Sequence, residues 1–323
     1  MAPHPTPITY LGGNGGGEGR RHAHPTMTSA LEQWRAAPVL FLDLEGRKVA
    51  YRRFGHGPAI VLIHGWPLSG ITYRALVAEL SQSFTCYVPD LPGAGDSPPD
   101  PNLKEFFGDF ACLIGQFVDA VGLDRFALVG HDSGGAMARV AAAQLGKRVT
   151  AMVLTNTEVP GHVPGVVKML QYAAALPLAR PIFQLLLGSR AFLRSAFGFG
   201  GAFQDKDLID GEFRETACAP LARDVSSALL SLRRADLNVA HTLPEVHAAI
   251  HAPLLCLWGD ADPFFSTAGA ETIVEQWAGP ARLERIPGKK LLVHEEVPTL
   301  VAAHIAEFVG QQAPARLATP LSA

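Results

Sequence analysis

The segment LVGHDSGGAM, Leu128 to Met137, contains Gly130-His131-Asp132-Ser133-Gly134, a reactive-residue pair framed by glycines. It follows the apolar run RFALV and precedes the helical pattern GGAMARVAAAQLG. A strand, a tight glycine-flanked turn and a helix lift the central side chain above the strand end. The helix start aims backbone N–H groups and its dipole at the same spot. The central residue is Asp132, with Ser133 one position past the apex, where its backbone helps and its hydroxyl is expected to point elsewhere. A Ser hydroxyl must lose a proton to a base before it attacks. A carboxylate with a pKa of ~3.9 is already ionised at neutral pH. It suits displacement of a good leaving group, halide or a strained epoxide oxygen, from saturated carbon. The product is an ester on Asp132, and its release needs a base to activate water and donors to hold an oxyanion. The same spacing also fits a glycine-rich turn in which Asp132 only caps the helix.

The elements that must position Asp132 are legible as runs. VLFLDLEG and RKVAYRRFG predict two short strands joined at Glu45-Gly46 in a hairpin. PAIVLIHG, FTCYVPD, RFALVGH, VTAMVLTN, PLLCLWGD and ARLERIP are apolar runs of strand length. Uninterrupted apolar strands suit a parallel sheet buried on both faces. Helical patterns lie between them, including LKEFFGDFACLIGQFVDAVG, which ends at the C-cap candidate Gly122. The alternation predicts an α/β fold with a mainly parallel sheet flanked by helices. Residues 159–251 break it with helical runs and no strand, as a helical cap inserted over the strand ends would. The core then comprises residues 36–158 and 252–312. Residues 1–35, rich in Gly and Pro toward their start, are expected to form a disordered extension in which Met27 is an alternative start to Met1. Residues 313–323 are expected to be a tail.

Two further features accompany the elbow. His64-Gly65-Trp66-Pro67 directly follows a predicted strand, and Asp262 in WGDADP follows the first strand after the insertion. His294 lies further on, in IPGKKLLVHEEVP. With HGWP, PDLPGAGDS, GHDSGG and WGDADP together, residues 41–308 resemble the α/β-hydrolase superfamily. The elbow Asp resembles the branch of epoxide hydrolases and haloalkane dehalogenases. The resemblance implies Asp132 as nucleophile, Asp262 as acid and a following histidine as base. It also implies an oxyanion hole from the backbone N–H groups of Trp66 and Ser133.

The sequence departs from that family in three places. The family pattern I-P-G-x-G-H-F-x-x-E-E, laid on IPG and EE, puts Leu291 where the base histidine belongs. His294 comes one helical turn later and is either the base or a surface histidine. His162, His241, His247 and His251 lie in or near the insertion. Ser133 stands where dehalogenases carry Trp or, for fluoroacetate, Arg. The insertion offers only Tyr172 where epoxide hydrolases use two cap tyrosines. Glu158, in LTNTEVPG, occupies the family's second acid position and is a backup for Asp262; the alternative is a solvated loop carboxylate. Tyr172 and Phe199 are candidate substrate-pocket residues, and Phe192, Phe197 and Phe203 either join them or pack the cap onto the core.

The expected function is a hydrolase of the α/β-hydrolase family acting on a small or medium apolar epoxide or halogenated compound, with water activated by His294 paired to Asp262. The alternatives are a non-hydrolytic homologue without a base (a binding protein or biosynthetic enzyme) and an esterase using Ser133. The chain has 323 residues, 48% hydrophobic and 18% charged, with a formal charge of -3. That balance suits a globular enzyme and offers no basic run for nucleic acid. Cys86, Cys112, Cys218 and Cys256 are widely spaced and expected to be reduced core residues. No metal motif is present and no cofactor is expected. The longest apolar stretch, residues 165–188, is interrupted by charged residues and prolines, so no membrane partner is expected. A cytoplasmic location is the default expectation, with a small-molecule substrate as partner.

Overall fold

The structure, a computed structural model, describes residues 29–100 and 102–312. Eight strands form one sheet: β1 (Leu40–Leu44), β2 (Arg47–Phe54), β3 (Ala59–Ile63), β4 (Thr85–Pro89), β5 (Phe126–His131), β6 (Val149–Thr155), β7 (Leu254–Gly259) and β8 (Ala281–Ile286). Their order is β1-β2-β4-β3-β5-β6-β7-β8. β2 runs antiparallel to β1 and β4, and all other pairs are parallel. The hairpin turns at Glu45 and Gly46, with φ of 54° and 83°, the positive angles that a tight two-residue turn requires.

The apolar runs are explained by burial on both faces. Along β5 and β7 every residue is buried. Alternate residues serve opposite layers, as the two-residue period of a strand dictates. Leu254, Cys256 and Trp258 face the helices Phe106–Ala120, Ser133–Leu145 and Thr267–Gln276. Leu255 and Leu257 face the helices Arg74–Leu80 and Pro298–Gln312. Because β4 lies on one side of β3 and β5 on the other, the strand order reverses there. The carboxyl ends of β3 and β5 open a crevice at this point, the usual ligand position in such sheets.

Between β6 and β7 the described chain is helical: Gly165–Ala174, Ala179–Gly188, Arg190–Leu193, Ala219–Arg223, Ser226–Arg234 and Val239–Ala249, with shorter turns between them. The last of these packs on the core helix Ser133–Leu145. Phe199 and Phe203 each pack edge-on against Phe213 inside the insertion, whereas Phe197 is exposed.

Two expectations change. The extension expected over residues 1–35 does not reach its end: Ser29 starts a helix, Ala30–Ala36. Ser29 and Glu32 form a reciprocal capping box, and Leu31 and Trp34 are buried. Residues 1–28 and 313–323, including the alternative start Met27, lie outside the described residues. Cys112 is exposed, while Cys86, Cys218 and Cys256 are buried. Its helix turns that one position outward while Phe110, Leu113 and Ile114 face the core. Ser29→Ala removes the cap and should cost about 1 kcal/mol, read as a fall of about 2–4 °C in the melting temperature; an unchanged melting temperature would mean that the helix adds nothing to the fold.

Candidate active site

Asp132 sits at the end of β5 with φ 50° and ψ −139°, a strained backbone for a residue with a Cβ. Crowding explains the glycines around it. A methyl group on Gly65 would lie 2.5 Å from both Cβ and Oδ2 of Asp132. One on Gly134 would lie 2.4 Å from the carbonyl oxygens of Ile63 and His64. The backbone N–H and hydroxyl of Ser133 face the Asp132 carboxylate and favour its charged form. The Ser133 hydroxyl also accepts the Trp66 backbone N–H at 2.8 Å. It therefore does not point elsewhere, as its place after the apex suggested, but links the Trp66 N–H to the Asp132 carboxylate. The Trp66 indole N–H is committed elsewhere and donates to the Ala228 carbonyl at 2.8 Å.

Asp132 and Ser133 line a cavity of about 70 Å³ with Trp66, Phe107, Glu158 and His162. The remaining wall is largely apolar, from residues such as Val167, Leu232 and Phe265. A larger cavity of about 520 Å³ lies on the other side of Trp66, bounded by His64, Asp90 and the helix Ser226–Arg234. Trp66 and Phe106 border both. Tyr172 is 79% exposed and Phe199 packs on Phe213. Neither candidate pocket residue lines the chamber around Asp132.

The expected pairing of His294 with Asp262 is absent. The Arg74–Glu295 ion pair, 2.9 Å and almost fully buried, anchors the short helix Val293–Glu296. That anchor turns His294 toward Thr72, whose hydroxyl lies 2.8 Å from Nε2. Thr72 also lies 2.9 Å from Glu295 Oε1 and donates there. His294 Nε2 must then carry a proton, which leaves the buried Nδ1 without a partner. The ring packs on His131 at 4.4 Å and on Tyr73 at 5.1 Å. Burial holds the His294 imidazole well below its ordinary value, with His131 and Arg74 adding to the effect. Leu291, in the family's histidine position, is partly buried in apolar surroundings, and its carbonyl lies 3.1 Å from His131 Nε2. Asp262 is held by other donors: Asn156 Nδ2 and the Phe264 N–H, each at 2.8 Å. Burial pushes its carboxyl up to about 6.

Glu158 is a cavity residue rather than a solvated loop carboxylate. Beside it lies Arg139, fully buried and the one charged residue of the helix Ser133–Leu145. Arg139 donates to the carbonyls of Gly135 and Glu158, to Thr157 Oγ1 and to His247 Nε2. His247 must therefore accept at Nε2 and give its Nδ1 proton to Gln276 Oε1, 3.1 Å away. The Arg139 guanidinium is lowered to about 10 by burial. Sequence reasoning missed Arg139, Asn156 and Thr157. The signal for Arg139 was a single charge in an otherwise small and apolar helix. Thr157 and Asn156 carried no signal beyond their place at the end of β6.

The arrangement places a carboxylate in a small, largely apolar chamber beside the backbone N–H and hydroxyl of Ser133. Gly65→Ala forces the Asp132 side chain to move, so at least a 100-fold loss of activity is expected, since small misplacements of reacting groups cost that much. A variant of wild-type activity would show that the close approach of Gly65 and Asp132 is not needed.

Residues 58–185 match the model of the alpha/beta hydrolase fold family. Haloalkane dehalogenase 2 of Mycobacterium tuberculosis is 26% identical over 277 residues, covering 84% of this chain and 94% of that protein. Among solved structures, the epoxide hydrolase CorEH without ligand superposes with a TM-score of 0.71 at 19% identity, covering 85% of this chain and 99% of that one. The haloalkane dehalogenase DbeA from Bradyrhizobium elkani gives a TM-score of 0.70 at 20% identity, with coverage of 85% and 98%. Among the described residues no helix is long and apolar enough to cross a membrane, and no cluster of His, Cys, Asp and Glu is arranged to hold a metal. With the strand order, the elbow and the inserted helices, these likenesses show an α/β-hydrolase fold, and haloalkane dehalogenases and epoxide hydrolases are among the proteins the chain resembles.

Proposed function

We propose that the chain hydrolyses a small apolar epoxide, or a small halogenated compound, through a covalent ester at Asp132. The observation that carries this reading is the Asp132 carboxylate, held at a strained apex and lining an apolar chamber. Attack by a carboxylate on a strained or halogenated carbon needs no base. The backbone N–H and hydroxyl of Ser133 face the carboxylate where charge develops when the ester is later attacked by water, and the Trp66 N–H holds that hydroxyl in place. A chamber of about 70 Å³ has room for a few water molecules and is far below the ~300–1,000 Å³ of sites for drug-sized ligands. A substrate of only a few heavy atoms fits it.

Between the two leaving groups, the geometry favours the epoxide. A departing halide needs N–H donors around it, and the Trp66 indole is spent on Ala228. An epoxide oxygen stays on the substrate and needs a proton instead. The esterase reading is disfavoured, because the Ser133 hydroxyl is engaged by the Trp66 N–H and no histidine is hydrogen-bonded to it among the described residues. A second reading, a non-hydrolytic homologue, keeps one supporting observation: Leu291 fills the base position. The two are separated by many turnovers of propylene oxide in ¹⁸O-water followed by peptide mass analysis. Label should enter the Asp132 carboxylate, and Asp132→Asn should lower turnover by at least on the order of 10³-fold. Absence of label after many turnovers would exclude the ester.

A further inference from the structure

Releasing the ester requires a group that takes a proton from water, and His294 is turned away from the chamber. Apart from Asp132, the titratable groups lining the cavity are Glu158 and His162. Glu158 is the one bonded into the elbow. Thr157 Oγ1 lies 2.7 Å from the Asp132 main-chain oxygen and 2.9 Å from Glu158 Oε2, and it accepts from Arg139 Nη2 at 3.1 Å. A hydroxyl has one proton to give. If Thr157 gives it to the Asp132 carbonyl, the contact with Glu158 is a hydrogen bond only when Glu158 supplies the proton. With Glu158 protonated, each of these contacts has a proton.

Burial pushes both the Asp132 and Glu158 carboxyls up, and like charges in one chamber disfavour ionising together; the Arg139 charge and the Thr157 hydroxyl favour the charged form of Glu158. The proton count at Thr157 places the proton on Glu158. Asp132 faces the N–H and O–H of Ser133 and stands at the start of the helix Ser133–Leu145, which favour its charge.

We propose that Glu158 is the proton-carrying catalytic residue of this site, acid in the first half-reaction and base in the second. The inference rests on the Asp132 ester reading given above. Asp132 attacks an epoxide carbon; the new C–O bond forms as the ring C–O bond breaks, and the ring oxygen takes the proton of Glu158. The ester is neutral, so the repulsion that kept Glu158 protonated is gone while the Arg139 charge remains. Glu158, now a carboxylate, takes a proton from the water that attacks the Asp132 carbonyl carbon. The tetrahedral intermediate collapses with cleavage of the bond between that carbon and the substrate oxygen. The hydroxyl proton brought in by water passes to the leaving alkoxide. A diol departs, Asp132 is again charged and Glu158 again protonated. The charge on Asp132 thus sets whether Glu158 acts as acid or as base, and the site needs no histidine.

Bromoethane and propylene oxide separate the two roles, because displacement of bromide needs no proton. Purified wild-type, Glu158→Gln, Glu158→Asp and His162→Ala proteins are incubated with each probe, and ester at Asp132 is followed by intact mass and peptide mapping. Glu158→Gln should still gain one ethyl group from bromoethane and should release it at least ~100-fold more slowly than wild type. It should react poorly with propylene oxide. Glu158→Asp, which keeps a carboxyl group, should release the ethyl ester faster than Glu158→Gln, a rescue that a purely structural role would not give. Release from Glu158→Gln at the wild-type rate overturns the assignment, and so does trapping of the ester by His162→Ala in its place. If no variant and no wild-type protein is ever alkylated at Asp132, the ester reading itself fails and this inference falls with it.

Discussion

The ends of β3 and β5 come so close that side chains are excluded from the contact, and the site depends on that approach. A Cβ on Gly65 would meet the Asp132 side chain, and one on Gly134 would meet the β3 backbone. Asp132 accepts a positive φ in consequence. The approach puts Ser133 beside the carboxylate and lets the Trp66 N–H, from the other strand end, hold the Ser133 hydroxyl. Backbone donors cost no reorganisation when charge moves, so the rigid sheet does the positioning that a mobile side chain would otherwise have to do.

A carboxylate in an apolar chamber must be balanced, because uncompensated buried charge is expensive. The family's solution, a histidine after the last strand, is absent here, and the local contacts show why it is not simply displaced by one turn. The Arg74–Glu295 ion pair and Thr72 hold His294 against His131. Asn156 saturates one oxygen of Asp262. Arg139 supplies a buried positive charge from beneath the elbow, tied to both Thr157 and the Glu158 carbonyl. The electrostatics of the site therefore come from the β6 end and the elbow helix, not from the β8 end.

Much of this fold could be read from the chain. Strands such as β5 and β7 are apolar without interruption because both faces are covered, and their lengths and flanking turns identify them. The elbow was equally clear, since few arrangements need glycine on both sides of an Asp in a strand-to-helix turn. What could not be read was orientation. His294 is the right residue type at nearly the right place, but its rotation is set by contacts with Thr72 and Arg74, which lie more than 200 residues earlier in the chain. The pocket residues fail for a similar reason. Tyr172 and Phe199 have suitable chemistry, but which face of an inserted helix looks inward depends on packing between helices, and hydrophobicity alone does not record it. The helix starting at Ser29 was not read from the chain, although Ser29 and Glu32 have the spacing of a capping box.

Trp66 belongs to two parts of the molecule at once. Its peptide N–H meets Ser133 beside the reactive carboxylate, and its indole is fastened to the Ala228 carbonyl on the inserted helices. An indole ring is rigid, so the residue works as a lever between them. The same side chain, with Phe106, borders both the 70 Å³ chamber and the 520 Å³ cavity. One residue therefore ties the wall shared by the two cavities to both the inserted helices and the elbow.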